Sequence, residues 1–212
     1  MSSGAKLPSQ WQSVQLGDLV DSGVLLTQNG FAQGGFNEDG FGVPHMRPFN
    51  ISEAGEVTLS QIKSVEPPPA TSQCWLRAGD VLFNNTNSED LVGKTAYWSL
   101  DGQYTLSNHM TLIRSLAPET VDTYWLARLL HYLWQTKTFK NLCRRYVGQA
   151  SISLEKLRSV RLPLPPIHEQ RAIARVLRAV QAAREARQRE VSLEGERKAA
   201  LMAYLVTHGT RG

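Results

Sequence analysis

Three prolines within four positions, Pro163, Pro165 and Pro166, divide this chain of 212 residues into two kinds of sequence. Proline lacks a backbone N–H and its ring clashes with the preceding turn, so no helix passes through the cluster from upstream; a helix's first turn does tolerate it. The stretch from Leu162 to about His208 therefore reads as one long helix launched by the cluster. Ile167, Ile173, Val176, Leu177 and Val180 fall on a 3.6-residue period, with Arg171, Arg175 and Arg178 off the stripe. The stripe thins to Ala183, Val191 and Leu193 and returns at Leu201, Met202 and Leu205. About 40 residues at a rise of 1.5 Å make a rod of roughly 60 Å, longer than a small domain is wide. A stripe of that length needs a partner helix, and Ile173, Val176, Leu177, Val180, Val191, Leu201 and Leu205 are the residues expected to meet it.

Residues 1–161 are different in texture, rich in turns and short apolar runs. The expected architecture is α+β: a mixed globular domain over 1–161 with a twisted β-sheet and short helices, then the long helix over 162–212. No run approaches the roughly 18 apolar residues of a membrane span, and the start, Met-Ser-Ser-Gly-Ala-Lys, has no signal-peptide core. A cytoplasmic protein is expected, with Cys74 and Cys143 reduced and too isolated to bind a metal.

Charge is more informative by segment than in total. Residues 1–136 carry 7 basic and 13 acidic side chains, residues 137–161 carry 7 and 1, and residues 162–212 carry 9 and 5. Lys137, Lys140, Arg144, Arg145, Lys156, Arg158 and Arg161 thus concentrate a positive field suited to a polyanion such as a nucleic-acid backbone. Lys137, Lys140, Arg144 and Arg145, together with Lys94, are the candidate phosphate contacts. A merely solvated basic face is the competing explanation.

Upstream, Trp11–Val20 suggests a strand followed by a turn or short helix, and Asn29–Gly42, with five glycines and three phenylalanines, a loop plus hairpin anchored by its aromatics. Arg47, a candidate base reader, follows in an extended stretch between Pro44 and Pro48. The strand Val81–Phe83 empties into Asn84, Asn85, Thr86 and Asn87, where amides suit bidentate bonds to base edges, adenine above all. An asparagine-rich turn capping itself is the plainer alternative. Asn108 in a hairpin turn and Gln149 and Ser151 in a polar loop complete the candidate base readers. Asp122 can cap a helix with the apolar face Trp125, Leu126, Leu129, Leu130, Leu133 and Trp134.

Motifs for catalysis are missing. Gly93-Lys94-Thr95 falls short of a phosphate loop, because the first glycine position is Ser88 and the following residues read as strand. There is no cofactor glycine loop, no Asn/Asp-Pro-Pro-aromatic loop, no nucleophile elbow and no paired Cys/His ligands; Glu89-Asp90 near Lys94 is a faint nuclease pattern lacking a further ligand. The chain reads as a binder that holds no metal and no cofactor.

Several segments together resemble the specificity subunits of type I restriction and modification systems: Trp11 with Leu16-Gly-Asp-Leu, Pro44 to Asn50-Ile51, Ala78-Gly-Asp-Val-Leu-Phe, Leu91-Val-Gly-Lys and, most specifically, Leu162-Pro-Leu-Pro-Pro-Ile-His-Glu-Gln-Arg-Ala-Ile-Ala. The resemblance implies a target recognition domain that reads double-stranded DNA, and a spacer helix pairing as an antiparallel coiled coil. It further implies methyltransferase subunits that carry S-adenosylmethionine, a restriction or translocase subunit as a further partner, and no catalysis by this chain. That family carries two recognition domains and two helices, whereas this sequence has one of each and no internal repeat. A half-size subunit acting as a homodimer on an inverted repeat is the expectation. A scaffold module that docks partners without reading DNA is the alternative.

Overall fold

A computed structural model describes residues 7–32, 35, 37 and 41–209. In chain order its elements are β1 (Gln12–Gln15), α1 (Leu16–Asp21), β2 (Leu25–Asn29), β3 (Val43–Met46), β4 (Lys63–Val65), β5 (Val81–Asn84), β6 (Thr86–Asn87), β7 (Thr95–Tyr97), β8 (Thr105–Leu106), β9 (Met110–Ser115), α2 (Thr123–Gln135), α3 (Thr138–Leu142), β10 (Arg144–Tyr146), β11 (Gln149–Ser151), α4 (Leu154–Arg158), β12 (Arg161–Leu164) and α5 (Ile167–His208). The α+β class read from the sequence is the observed one. Residues up to Arg171 form one compact unit and those from Ala172 another.

The centre of the first unit is a four-stranded antiparallel sheet in the order β2-β9-β5-β7. Successive strand side chains point to opposite faces, so the unbroken apolar runs Val81–Phe83 and Met110–Ile113 imply a sheet covered on both sides. Leu82, Leu112 and Ala96 join Met46, Ile51, Leu76, Trp98, Leu106 and Met110 in one buried cluster. On the opposite face Phe83 meets Phe139 of α3 edge-on at 5.0 Å, and Tyr97 meets Tyr124 of α2 at 5.2 Å. Asp122 caps α2 as expected, its Oδ1 accepting from the Trp125 N–H at 2.9 Å. Trp125, Leu126, Leu130 and Leu133 are buried; Leu129 and Trp134 are half-buried.

The proline cluster does not simply open the helix. Leu162–Leu164 form β12 together with Arg161, antiparallel to β1 with Gln12 opposite Leu164, and the helix begins only at Ile167. Pro163 can occupy a strand because this two-stranded pair leaves an edge where no N–H is needed. Gln170 then fixes the helix start. It is fully buried, accepts from the Asp122 N–H at 2.9 Å, and donates to the carbonyls of Pro165 and Thr120 at 2.8 and 3.1 Å. Glu169 accepts from the Trp11 indole at 2.8 Å. Thus the Glu-Gln of the motif is an anchor for the first helical turn.

From Ala172 onward, α5 carries an uncovered apolar stripe. Val176, Val180, Val191 and Leu201 are more than half exposed, with Leu193, Met202 and Val206, while Ile173, Leu177 and Leu205 are half-buried. Among the described residues no helix is long and apolar enough to cross a membrane.

The glycine-rich stretch is described only in part. Phe31 packs on the central cluster and bridges to Ser107, whereas Phe41 is exposed; Gln33, Gly34, Phe36 and Glu38–Gly40, on which the rest of the expected hairpin falls, lie outside the described residues.

Candidate nucleic-acid interface

Two stretches nearly sixty residues apart meet in one small sheet, β10-β11-β6. Arg144 lies opposite Ser151, and Ser151 opposite Thr86; Tyr146 lies opposite Gln149; Arg145 lies opposite Ala150, and Ala150 opposite Asn87. Because cross-strand partners share a face, Arg144, Tyr146, Gln149, Ser151 and Thr86 point one way. Ala150 on the other face is buried while Arg145, on that same face, reaches out to Glu89; on the first face Thr86 and Ser151 are half-buried. Arg144, Arg145, Tyr146, Val147 and Gln149 are all exposed. Sequence distance hides this arrangement, since nothing in the composition of Thr86-Asn87 says that it pairs with Gln149–Ser151.

The cations beside this sheet are not equally available. Arg145 is bridged to Glu89 at 2.8 Å, and Lys140 to Asp90 at 2.8 Å with Glu89 at 3.8 Å. The hydrogen bond and charge of Lys140 hold the Asp90 carboxyl below its ordinary range, and Asp90 in turn raises the Lys140 ammonium. Glu89-Asp90 is therefore a pair of local counter-ions and not a nuclease motif with Lys94. Among the described residues Arg144 faces no carboxylate, and it lies over the Tyr146 ring at 5.2 Å. Lys137 is exposed at the turn into α3, in the left-handed region, with its ammonium 5.8 Å from the Trp134 ring.

Three of the expected contact residues are buried. Asn84 is fully enclosed: its amide donates to the Leu91 carbonyl at 3.0 Å and its backbone exchanges bonds with Gly93 and Lys94. Asn85 donates to Thr111 Oγ1 at 3.0 Å and to the Asn108 carbonyl at 3.1 Å, and accepts from Thr86 Oγ1 at 2.8 Å. Lys94 donates to the Ile51 carbonyl inside the fold, and burial pushes its ammonium down against the opposing charge of Glu53. The burial of these three residues has one cause. The strand β5 is central, so the residues at its end are roofed by β9 and by the turn at Gly93, and their side-chain nitrogens donate to backbone carbonyls. Asn84 and Asn85 are thus structural amides, and Lys94 is no phosphate contact.

Of the remaining candidates, Arg47, just past the end of β3 in the separate β4-β3-β8 sheet, donates to the Gln61 carbonyl at 3.0 Å and covers the Phe49 ring at 4.3 Å. Burial pushes its guanidinium down from the usual value. Asn108 is exposed next to His109, and the Asn108 carbonyl accepts from the Asn85 amide while the His109 carbonyl accepts from the Asn85 N–H, which ties this turn to the start of β6. Asn87 Oδ1 accepts from the Ser88 N–H at 2.8 Å, the self-capping turn. Thr86, Asn87, Asn108, Gln149 and Ser151 therefore lie around β6 and its neighbours, with Arg144, Arg145 and Lys140 beside them.

Within the described residues no group of His, Cys, Asp and Glu could hold a metal ion, and Cys74 and Cys143 are free thiols. The site offers amides, hydroxyls, an aromatic ring and guanidinium groups on a hairpin, which is equipment for recognition.

Comparison with known proteins agrees. Residues 8–194 match the family described as type I restriction modification DNA specificity domain. A putative type I restriction enzyme MjaX specificity subunit from Methanocaldococcus jannaschii is 28% identical over 177 residues, 81% of this chain and 40% of its own length. The crystal structure of the HsdS subunit from Thermoanaerobacter tengcongensis has a TM-score of 0.59 at 25% identity, covering 90% of this chain and 42% of that one. A chain from a structure on complex assembly and conformational transition of the type I R-M system has a TM-score of 0.69 at 24% identity, covering all of this chain and 48% of that one. The sequence thus spans less than half the length of the relatives it matches. With a family match over most of its length and the same fold, this chain belongs to the type I restriction modification DNA specificity domain family.

Proposed function

We propose that this chain is a non-catalytic, sequence-specific DNA-recognition subunit of a type I restriction and modification complex. The body up to β12 is the target recognition domain, and α5 is the spacer. The observation that carries this reading is the β10-β11-β6 sheet, which places Arg144, Gln149, Ser151 and Thr86 on one face, Arg144 and Gln149 exposed, with Lys140 and Arg145 beside it. Cations fix a protein on phosphates and amides read base edges. Methylation chemistry, with its S-adenosylmethionine, belongs to methyltransferase subunits, and a restriction or translocase subunit is a further partner of the same assembly.

The uncovered stripe on α5 supports a homodimer. Two copies related by a twofold axis place the same face against itself, so each stripe supplies the apolar surface the other lacks. Antiparallel pairing of two helices of about 60 Å sets the gap between two half-sites. Sedimentation at micromolar concentration is expected to give a dimer, and Val176→Glu with Leu201→Glu a monomer. A wild-type monomer under those conditions would refute the pairing.

Duplex binding tests the DNA reading directly. The expected log-log dependence of affinity on salt is steep, and Arg144→Glu weakens binding about tenfold on every sequence by removing a phosphate contact and adding repulsion. A flat salt dependence would instead support the scaffold reading, for which the exposed stripe of α5 is the favouring observation.

A further inference from the structure

The tip of the proposed recognition hairpin carries a fully exposed apolar side chain. Val147 is as exposed as a free residue, at 105%, at the tip between β10 and β11, and Tyr146 beside it is 48% exposed. Gly148 completes the turn with φ of +80°. Turns favour glycine, asparagine, aspartate and proline for conformational reasons that valine does not share, and at that exposure Val147 buries nothing. Stability gives no reason for it. Opposite Tyr146, the amide of Gln149 has no hydrogen bond to any described residue, while Arg144 stacks along the Tyr146 ring and steadies it.

We propose that this tip reads an A·T base pair in the major groove. Gln149 would bond adenine through its amide, and Val147, backed by Tyr146, would press on the thymine methyl. The pairing follows from chemistry. In the major groove adenine offers an acceptor and a donor side by side, which a glutamine amide matches, and its partner thymine offers the one methyl group on any base edge. A single tip carrying one amide and one apolar side chain, flanked by Arg144 to hold the phosphate backbone, complements that edge. A two-stranded ribbon also fits the width of this groove. This assignment rests on the DNA-recognition reading above and adds which residues choose the base.

The test is selection of bound sequences from a random duplex pool by the full chain, followed by duplexes in which each selected thymine is replaced by uracil, which lacks only the methyl. Wild-type protein is expected to select an A·T pair in each half-site and to lose roughly tenfold in affinity when that thymine becomes uracil. Val147→Ser is expected to bind thymine and uracil duplexes alike, and Gln149→Ala to relax the choice at that pair, both retaining wild-type melting and salt dependence. If the wild type selects a sequence and the two variants select the same one with the same uracil response, the tip assignment is overturned while DNA recognition stands. If the wild type shows no salt-dependent binding to any duplex, both readings are overturned together. The uracil comparison needs no variant, so a misfolded substitution cannot decide it.

Discussion

Asp80→Ala is expected to lower the unfolding free energy by about 3–5 kcal/mol, the cost of leaving one charge of a buried pair alone. Asp80 is almost wholly buried, and its two oxygens receive both arms of Arg114, Nε on Oδ1 and the terminal nitrogen on Oδ2, each at 2.7 Å. Its Oδ2 also accepts from the Arg77 N–H at 2.7 Å, and Arg114 donates to the Trp75 carbonyl at 2.7 Å. Removing the carboxylate strands a guanidinium with little access to water and frees the turn that starts β5. Asp80→Asn keeps the shape and one acceptor, so a smaller loss is expected. Urea unfolding at pH 7 decides: a change below about 1 kcal/mol for Asp80→Ala would mean that water replaces the carboxylate, and the pair would not be a buried clamp. The consequence reaches the interface, because β5 leads directly into Asn85 and Thr86 and so sets the register of β6 against β11.

Part of this architecture is legible in the amino-acid sequence. The helix after Asp122, the rod to His208 and the α+β class follow from periodicity, capping and proline chemistry, which are local. What the sequence hides is long-range. Asn84, Asn85 and Lys94 have the right chemistry for DNA and the wrong depth. Depth depends on β5 being central in its sheet, a matter of topology that the residues Val81–Phe83 alone do not fix. The clearest local signal is the lack of alternation in that run, which marks a strand buried on both faces and so warns against placing a ligand at its end. Similarly, Leu162–Leu164 forms a strand because β1 is there to pair with it, a partner about 150 residues away in sequence. Tyr146 and Val147 do carry a local signal: an aromatic and a valine before a glycine, among cations, make an odd turn.

The candidate interface is modest in charge. Two of its four nearby cations are answered by Glu89 and Asp90, so in the proposed DNA complex phosphates would compete with these ion pairs, whereas Arg144 faces no carboxylate among the described residues. Surface ion pairs are weak, which makes the exchange of carboxylate for phosphate inexpensive. This is why Arg144 and Arg145, adjacent in sequence, are not equivalent: reversing Arg144 subtracts a contact, whereas reversing Arg145 also sets it against Glu89.

Stability is expected to fall by roughly 4–6 kcal/mol as the pH is lowered from about 6.5 to 4, because two histidines are buried uncharged. His45 is fully enclosed, its Nδ1 3.0 Å from Thr105 Oγ1 and its ring against Phe31 at 5.0 Å; burial, aided by the charge of Arg47, pushes it down to about 4. His131 is also pushed to about 4, by burial first and then by Arg128, against the opposing bond to the Glu53 carbonyl at 3.2 Å. In the unfolded chain both rings take up a proton near pH 6.5. Between that value and 4 the unfolded state binds more protons than the folded one, so stability rises with pH across the window, is fully present above it and is lost below it. Each imidazole accounts for up to about 3 kcal/mol. Urea midpoints at pH 7, 5.5 and 4.5 measure the slope, and His45→Gln with His131→Gln is expected to flatten it while lowering the plateau. A slope in the double variant equal to that of the wild type would assign the acid sensitivity to carboxylates instead. Because β8, joined to β3 at His45 and Thr105, leads into the turn that carries Asn108, loss of DNA binding below pH 5 is expected to track unfolding and to be insensitive to Arg144→Glu, whereas above pH 6.5 the same substitution weakens binding with no change in the midpoint.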